Sequence, residues 1–163
     1  MGTAPRPAVL HLSSAIPSEL LREAGAQLPG EACGILLGQA GAAAAGLEDC
    51  EIHGWRSITN AAEGDAHFRF DPLAFARGQE QARDLGQAIL GVYHSHPTGP
   101  GQPSELDEQH ARALWWQQPS WAYLIIGPVE KPVERPVARH DATCRAWRLQ
   151  RGFWREMRVN LLP

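Results

Sequence analysis

Ala88-Ile89-Leu90-Gly91-Val92-Tyr93-His94-Ser95-His96-Pro97, continued downstream by Pro103-Ser104-Glu105-Leu106-Asp107, is the stretch on which the reading of this chain turns. Ala88 to Tyr93 is a short, unbroken apolar run, which suits a strand buried on both faces. Such strands belong to sheets covered by helices, so the chain is read as α/β. The strand runs straight into two histidines separated by one residue. Side chains alternate with period two in an extended chain, so His94 and His96 project to the same side. Pro97, Pro100 and Pro103, interleaved with Gly99 and Gly101, then make a stiff irregular loop. Ser104 follows as the N-cap of a helix predicted to run to about Trp115. Ser104 and Asp107, three residues apart, share one face of its first turn.

Taken alone, Ser104 and Asp107 read as a capping box with Asp in place of the usual Glu. A strand-end histidine pair, taken alone, is equally ordinary. Together they make a concave site with two imidazoles and one carboxylate. Three N/O ligands with one open position describe a catalytic zinc site, whereas structural zinc normally has four protein ligands. His94, His96 and Asp107 are therefore candidate ligands of one Zn2+ ion, with water in the fourth position.

Working outward, Ile16, Leu20, Ala24 and Leu28 recur at helical spacing, and Pro29-Gly30 closes that helix. Gly34 to Gly38 reads as a buried strand and the alanine-rich Ala40 to Gly46 as a turn. Leu47 to Trp55 and Arg56 to Asn60 read as two further strands. Asp71-Pro72 opens a second helix, with Asp as N-cap and Pro at the first helical position, ending near Gly86. Trp121 to Gly127 is another strand. Arg145 to Leu149 and Phe153 to Val159 form a hairpin around Gln150-Arg151-Gly152. Residues 8–160 are expected to form one domain, with 1–7 as a flexible N-terminal lead.

The chain has 163 residues, a formal net charge of −3 and a pI near 6.1, so it lacks the basic footprint of a nucleic-acid binder. It has neither an apolar run long enough to span a membrane nor an export signal, and is expected to be cytoplasmic. Cys33, Cys50 and Cys144 are far apart and odd in number, which favours free thiols over a Cys50 to Cys144 disulfide. The tail interleaves Arg145, Arg148, Arg151, Arg155 and Arg158 with Trp147, Phe153 and Trp154. That pattern suits single-stranded nucleic acid, but on an acidic chain it reads better as a twisted hairpin with one packed face. His110, on the same helix as Asp107, is a candidate to support the ligands from outside.

His94-Ser95-His96-Pro97 with Pro103-Ser104-Glu105-Leu106-Asp107 resembles the His-x-His-x7-Ser-x2-Asp signature of the JAMM (JAB1/MPN/Mov34) zinc metallopeptidases, of the stand-alone prokaryotic type. Pro29 to Gly38 is similar to the family's upstream segment, which carries a catalytic glutamate, and Glu31 is the matching residue. The resemblance implies an MPN fold: a curved mixed β-sheet with helices on both sides, layered as in cytidine deaminases. It implies that Glu31 takes the proton of the zinc water and passes it to the leaving amine, and that Ser104 steadies the tetrahedral oxyanion. It also implies a partner, a ubiquitin-like β-grasp sulfur carrier cut after its C-terminal Gly-Gly. Two other readings are a non-proteolytic MPN scaffold, which the complete ligand set argues against, and a nucleic-acid-associated protein, which rests on fold analogy. Oligomeric state is not legible in the sequence.

Overall fold

Three helices and eight strands are laid out in the computed structural model, which describes residues 6–41, 49–115, 118–129 and 144–163. Most of the expected lead and turn, residues 1–5 and 42–48, lie outside the described residues. The strands are β1 (Val9–Ser13), β2 (Cys33–Gln39), β3 (Cys50–Ile52), β4 (Gly54–Ser57), β5 (Gln87–Ser95), β6 (Ala122–Ile126), β7 (Cys144–Gln150) and β8 (Phe153–Leu162). The helices are α1 (Ile16–Gln27), α2 (Pro72–Asp84) and α3 (Glu105–Trp115).

The sheet runs β3-β1-β8-β7-β6-β5-β2-β4 and mixes parallel with antiparallel pairs. Its two ends are joined by a single residue: β3 pairs with β1, β4 pairs with β2, and His53 between them donates its N–H to Leu37 O at 2.9 Å. The sheet is thereby curled nearly closed. This corrects one sequence expectation, and the structure adds a strand the sequence reading did not include. The break in the Leu47 to Asn60 region falls at His53, where the chain changes neighbours, and not at Trp55-Arg56. Residues 9–13 lead into the first helix as a strand, buried at Leu10 and Leu12, whose partners lie far along the chain.

Helices cover both faces, as expected. Ile16, Leu20 and Ala24 of α1 pack with Leu36, Tyr93, Leu124 and Ile126 on one face. Ala82 of α2 and Ala111 of α3 pack with Ile35, Val92 and Tyr123 on the other. Each fully buried Leu or Ile here contributes about 1.5–3 kcal/mol of transfer free energy. Asp71 caps α2 by accepting from Ala74 N at 2.7 Å, with Pro72 in the first turn.

The phase of β5 aims the site. Its register against β2 shifts at Leu36/Leu37, a β-bulge that adds one residue to β5 around Leu90. Leu90 and Tyr93, three apart, therefore both face α1, while Ile89 and Val92 face α2 and α3. Gly91 sits in this kink against the Ala122 carbonyl, where a Cβ has no room. Downstream of the bulge His94 follows Val92 onto the α3 face.

In the middle of the sheet β7 and β8 form the expected hairpin, turning through Arg151 and Gly152 with φ of 50° and 82°. Trp147 and Trp154 are half-buried against the Val92 and Tyr123 cluster, and Arg148 is buried. The three cysteines are free thiols. Among the described residues, no helix is long and apolar enough to cross a membrane.

Candidate metal centre

β5 ends at Ser95, and the loop after it returns to start α3 within hydrogen-bond reach of the strand end. His94 Nε2 lies 3.0 Å from His96 Nε2 and 3.1 Å from Asp107 Oδ1, and His96 Nε2 lies 3.2 Å from Asp107 Oδ2. These three residues form a group that could hold a metal ion. Tetrahedral zinc with bonds of about 2.0–2.2 Å sets neighbouring ligand atoms about 3.3–3.6 Å apart. An ion would therefore enter after outward shifts of a few tenths of an ångström.

Surrounding bonds hold the donors in the orientation an ion requires. His96 Nδ1 is 2.8 Å from Pro100 O. The carbonyl can only accept, so a proton sits on Nδ1; Nε2, which donates to Asp107 when no ion is bound, is the nitrogen left to offer its lone pair to an ion. The α3 start is a reciprocal capping box: Asp107 Oδ2 accepts from Ser104 N at 2.7 Å and from Ser104 Oγ at 2.8 Å, and Ser104 Oγ accepts from Asp107 N at 3.1 Å. The helix cap read from the sequence is thus present, and the capped Asp107 carboxylate also faces the two histidines.

Burial raises the Asp107 carboxyl, but bonds from His94, His96 and the Ser104 backbone outweigh it and hold the group well below the carboxylate range. Burial pulls His94 down, so its neutral imidazole, the ligand form, is favoured. Phe68 stacks on the His94 ring at 4.6 Å between centroids, and His110 stands edge-on to the same Phe68 at 5.7 Å. His110 therefore reaches the site through an aromatic ring.

Glu31 arrives from the segment that leads into β2. The antiparallel register sets Cys33 opposite His94, and two residues further Glu31 comes level with His96. Ser95 locks this approach: Ala32 N donates to Ser95 Oγ at 2.8 Å and Ser95 N donates to Ala32 O at 2.9 Å. Asn60 Nδ2 donates to Glu31 O at 3.1 Å, while Asn60 Oδ1 accepts from Ala62 N and Arg69 N. Glu31 is 7% exposed and its Oε2 is buried without a partner among the described residues. Burial is the main reason its pKa rises to about 7; His96 lowers it and Asp107 raises it further.

Glu31, His96 and Ser104 line one cleft of about 950 Å³, with Pro29, Pro97 and Val129 among its apolar walls. The structure thus gathers all five sequence-predicted residues at one place. Sequence reasoning missed Ser95, Asn60 and Phe68, which orient them. Ser95 alone carried a signal, since period two turns it away from its flanking histidines and into the sheet.

A family described as prokaryotic homologs of the JAB domain matches residues 13–150. A probable TtuB-protein conjugate cleaving protease of Thermus thermophilus is 40% identical over 57 residues, 35% of this chain and 34% of that protein. The desampylase of Haloferax volcanii is 32% identical over 101 residues, 61% of this chain and 64% of that protein. The chain thus spans less than two thirds of the length of either relative. The solution structure of protein DSY2949 from Desulfitobacterium hafniense superposes with a TM-score of 0.72 at 28% identity, covering 94% of this chain and 92% of that one.

Proposed function

We propose, starting from the fact that this chain belongs to the family of prokaryotic homologs of the JAB domain, that it is a zinc-dependent peptidase releasing a ubiquitin-like protein. The bond cut follows the C-terminal Gly-Gly of a β-grasp sulfur carrier. The observation that carries the reading is the convergence of His94, His96 and Asp107 at 3.0–3.2 Å beside a buried glutamate with a pKa near 7. The names of the two relatives, a conjugate cleaving protease and a desampylase, support the reaction class.

His94, His96 and Asp107 would hold the ion, and their two nitrogens and one oxygen suit zinc. When bound, zinc supplies Lewis acidity toward water and the scissile carbonyl. Glu31, titrating near 7, is matched to accept a proton from the attacking water and to return it to the leaving amine. One water is consumed, and the products are a carboxylate and a free amine. Ser104 Oγ at the cleft wall is the hydroxyl available to the oxyanion, a role in which it would turn from Asp107 Oδ2. The apolar walls suit an extended tail, and glycine lets the substrate backbone approach the donors closely.

The test is to incubate the zinc-loaded protein with a Gly-Gly-terminated ubiquitin-like carrier bearing a C-terminal extension, reading intact mass. Release of the extension, abolished by chelator and by Glu31→Gln, is the expected result. An intact substrate in the presence of bound zinc would overturn the substrate class.

A further inference from the structure

The loop between β5 and α3 is tied down at several points outside the candidate ligands. Its carbonyls are held from two directions. Pro100 O faces His96 Nδ1 at 2.8 Å, and the next carbonyl, Gly101 O, accepts from Trp147 Nε1 at 2.9 Å. Trp147 lies on β7, two strands away from His96 across the sheet, and the mechanism does not use it.

The indole is itself fixed. The Arg145 guanidinium lies over its ring at 4.8 Å and is clamped by Glu156 through two bonds of 2.8 and 2.9 Å. The ring beneath packs with Val92, Tyr123 and Leu149. The loop has little freedom to drift: a Cβ on Gly101 would come within 3.2 Å of Ile125 O and 3.5 Å of Arg145. Val129 N also donates to Pro97 O at 3.3 Å at the loop's start.

We infer that Trp147 is a positioning residue for the metal centre: its indole N–H pins Gly101, and so holds the Pro100 carbonyl that fixes the orientation and tautomer of His96. The inference rests on the ligand assignment proposed above. An imidazole loses ligand quality when the acceptor behind it moves, and partners outside the ligand set are commonly worth about 10- to 100-fold in metal affinity. Trp147 acts one bond further out, so an effect of about 3- to 10-fold is expected.

Two substitutions separate the donor from the ring. Trp147→Phe keeps an aromatic ring under Arg145 but has no N–H, whereas Trp147→Gln keeps an N–H donor of similar reach and loses the ring. Zn2+ affinity by chelator competition and Co2+ absorption are measured on the full chain, with the melting temperature of the chelated protein alongside. The inference expects Trp147→Phe to lose about 3- to 10-fold in affinity while Trp147→Gln retains more. Melting temperature should rank them oppositely, since packing loss is larger for Gln. Unchanged affinity in Trp147→Phe, or affinities that merely follow melting temperature, overturn it. A wild-type chain that binds neither metal overturns the ligand assignment with it, whereas normal wild-type binding with unaffected variants overturns this inference alone.

Discussion

His94, His96, Ser104 and Asp107 come from one short stretch of chain and bond to one another, so that the Asp107 carboxylate faces two imidazoles, an amide N–H and a hydroxyl. Glu31 comes from the separate segment leading into β2, is steered there by the Ala32 backbone and the Asn60 side chain, and keeps one buried oxygen without a partner among the described residues. The first group is compensated in place, and its carboxyl is held low. The second is uncompensated, and its carboxyl is driven up. A ligand has to stay ionised, while a proton carrier has to sit near the working pH, and the two environments suit the two carboxylates to the separate roles proposed for them.

The comparison breaks most visibly at Asp107. Asp107→Ala should abolish tight zinc binding, lowering affinity by about 100-fold or more, because two imidazoles alone leave the site a ligand short. Metal analysis after dialysis checks this, and a full zinc content in the variant would falsify the ligand assignment. Glu31→Gln should cut turnover by about 10²–10⁴-fold with zinc content unchanged, the signature of a lost proton carrier. Loss of zinc in that variant would instead place Glu31 with the ligands.

The same substitution sharpens the contrast in stability. The folded pKa of Glu31 is raised from 4.5 to about 7, so its ionisation opposes folding increasingly as pH climbs through that window. Chelated Glu31→Gln should therefore match the wild type below pH 4.5 and exceed it above pH 7, by about 1–3 kcal/mol. Thermal melts at pH 4 and pH 8 would show it, and an equal offset at both would mean that charge burial is not the cause. Asp107 carries the opposite sign: its depressed pKa contributes stability present above the ordinary carboxyl range and lost on acidification.

A smaller effect is expected at Ser95. Ser95→Ala leaves the Ala32 N–H without its partner, at about 1–3 kcal/mol of stability, and loosens Glu31 with no ligand removed. Turnover should fall about 10-fold at near-constant zinc affinity. A parallel loss of zinc would show that Ser95 supports both halves of the site.

The legible parts of this site were those written within one element or at its ends. His94 and His96 share a face because strand geometry demands it, and Ser104 and Asp107 share a turn for the same kind of reason. The caps of α2 and α3 and the Gln150-Arg151-Gly152 turn were readable likewise. β1 escaped notice because only Leu10 and Leu12 mark it, in a strand of five residues. The role of Asn60 was invisible because it acts on a carbonyl 29 residues earlier in the chain. Glu31 could be singled out by resemblance but not by its own surroundings in the sequence.

The sequence by itself determined which side chains could serve as ligands and that they would face one way, since local periodicity is a property of the backbone alone. Tertiary structure decided which glutamate stands beside them, how far burial lifts its pKa, and which tautomer His96 adopts. Those depend on the register between β2 and β5, and on carbonyls and aromatic rings delivered by distant strands, interactions summed over segments that have no fixed spacing along the chain.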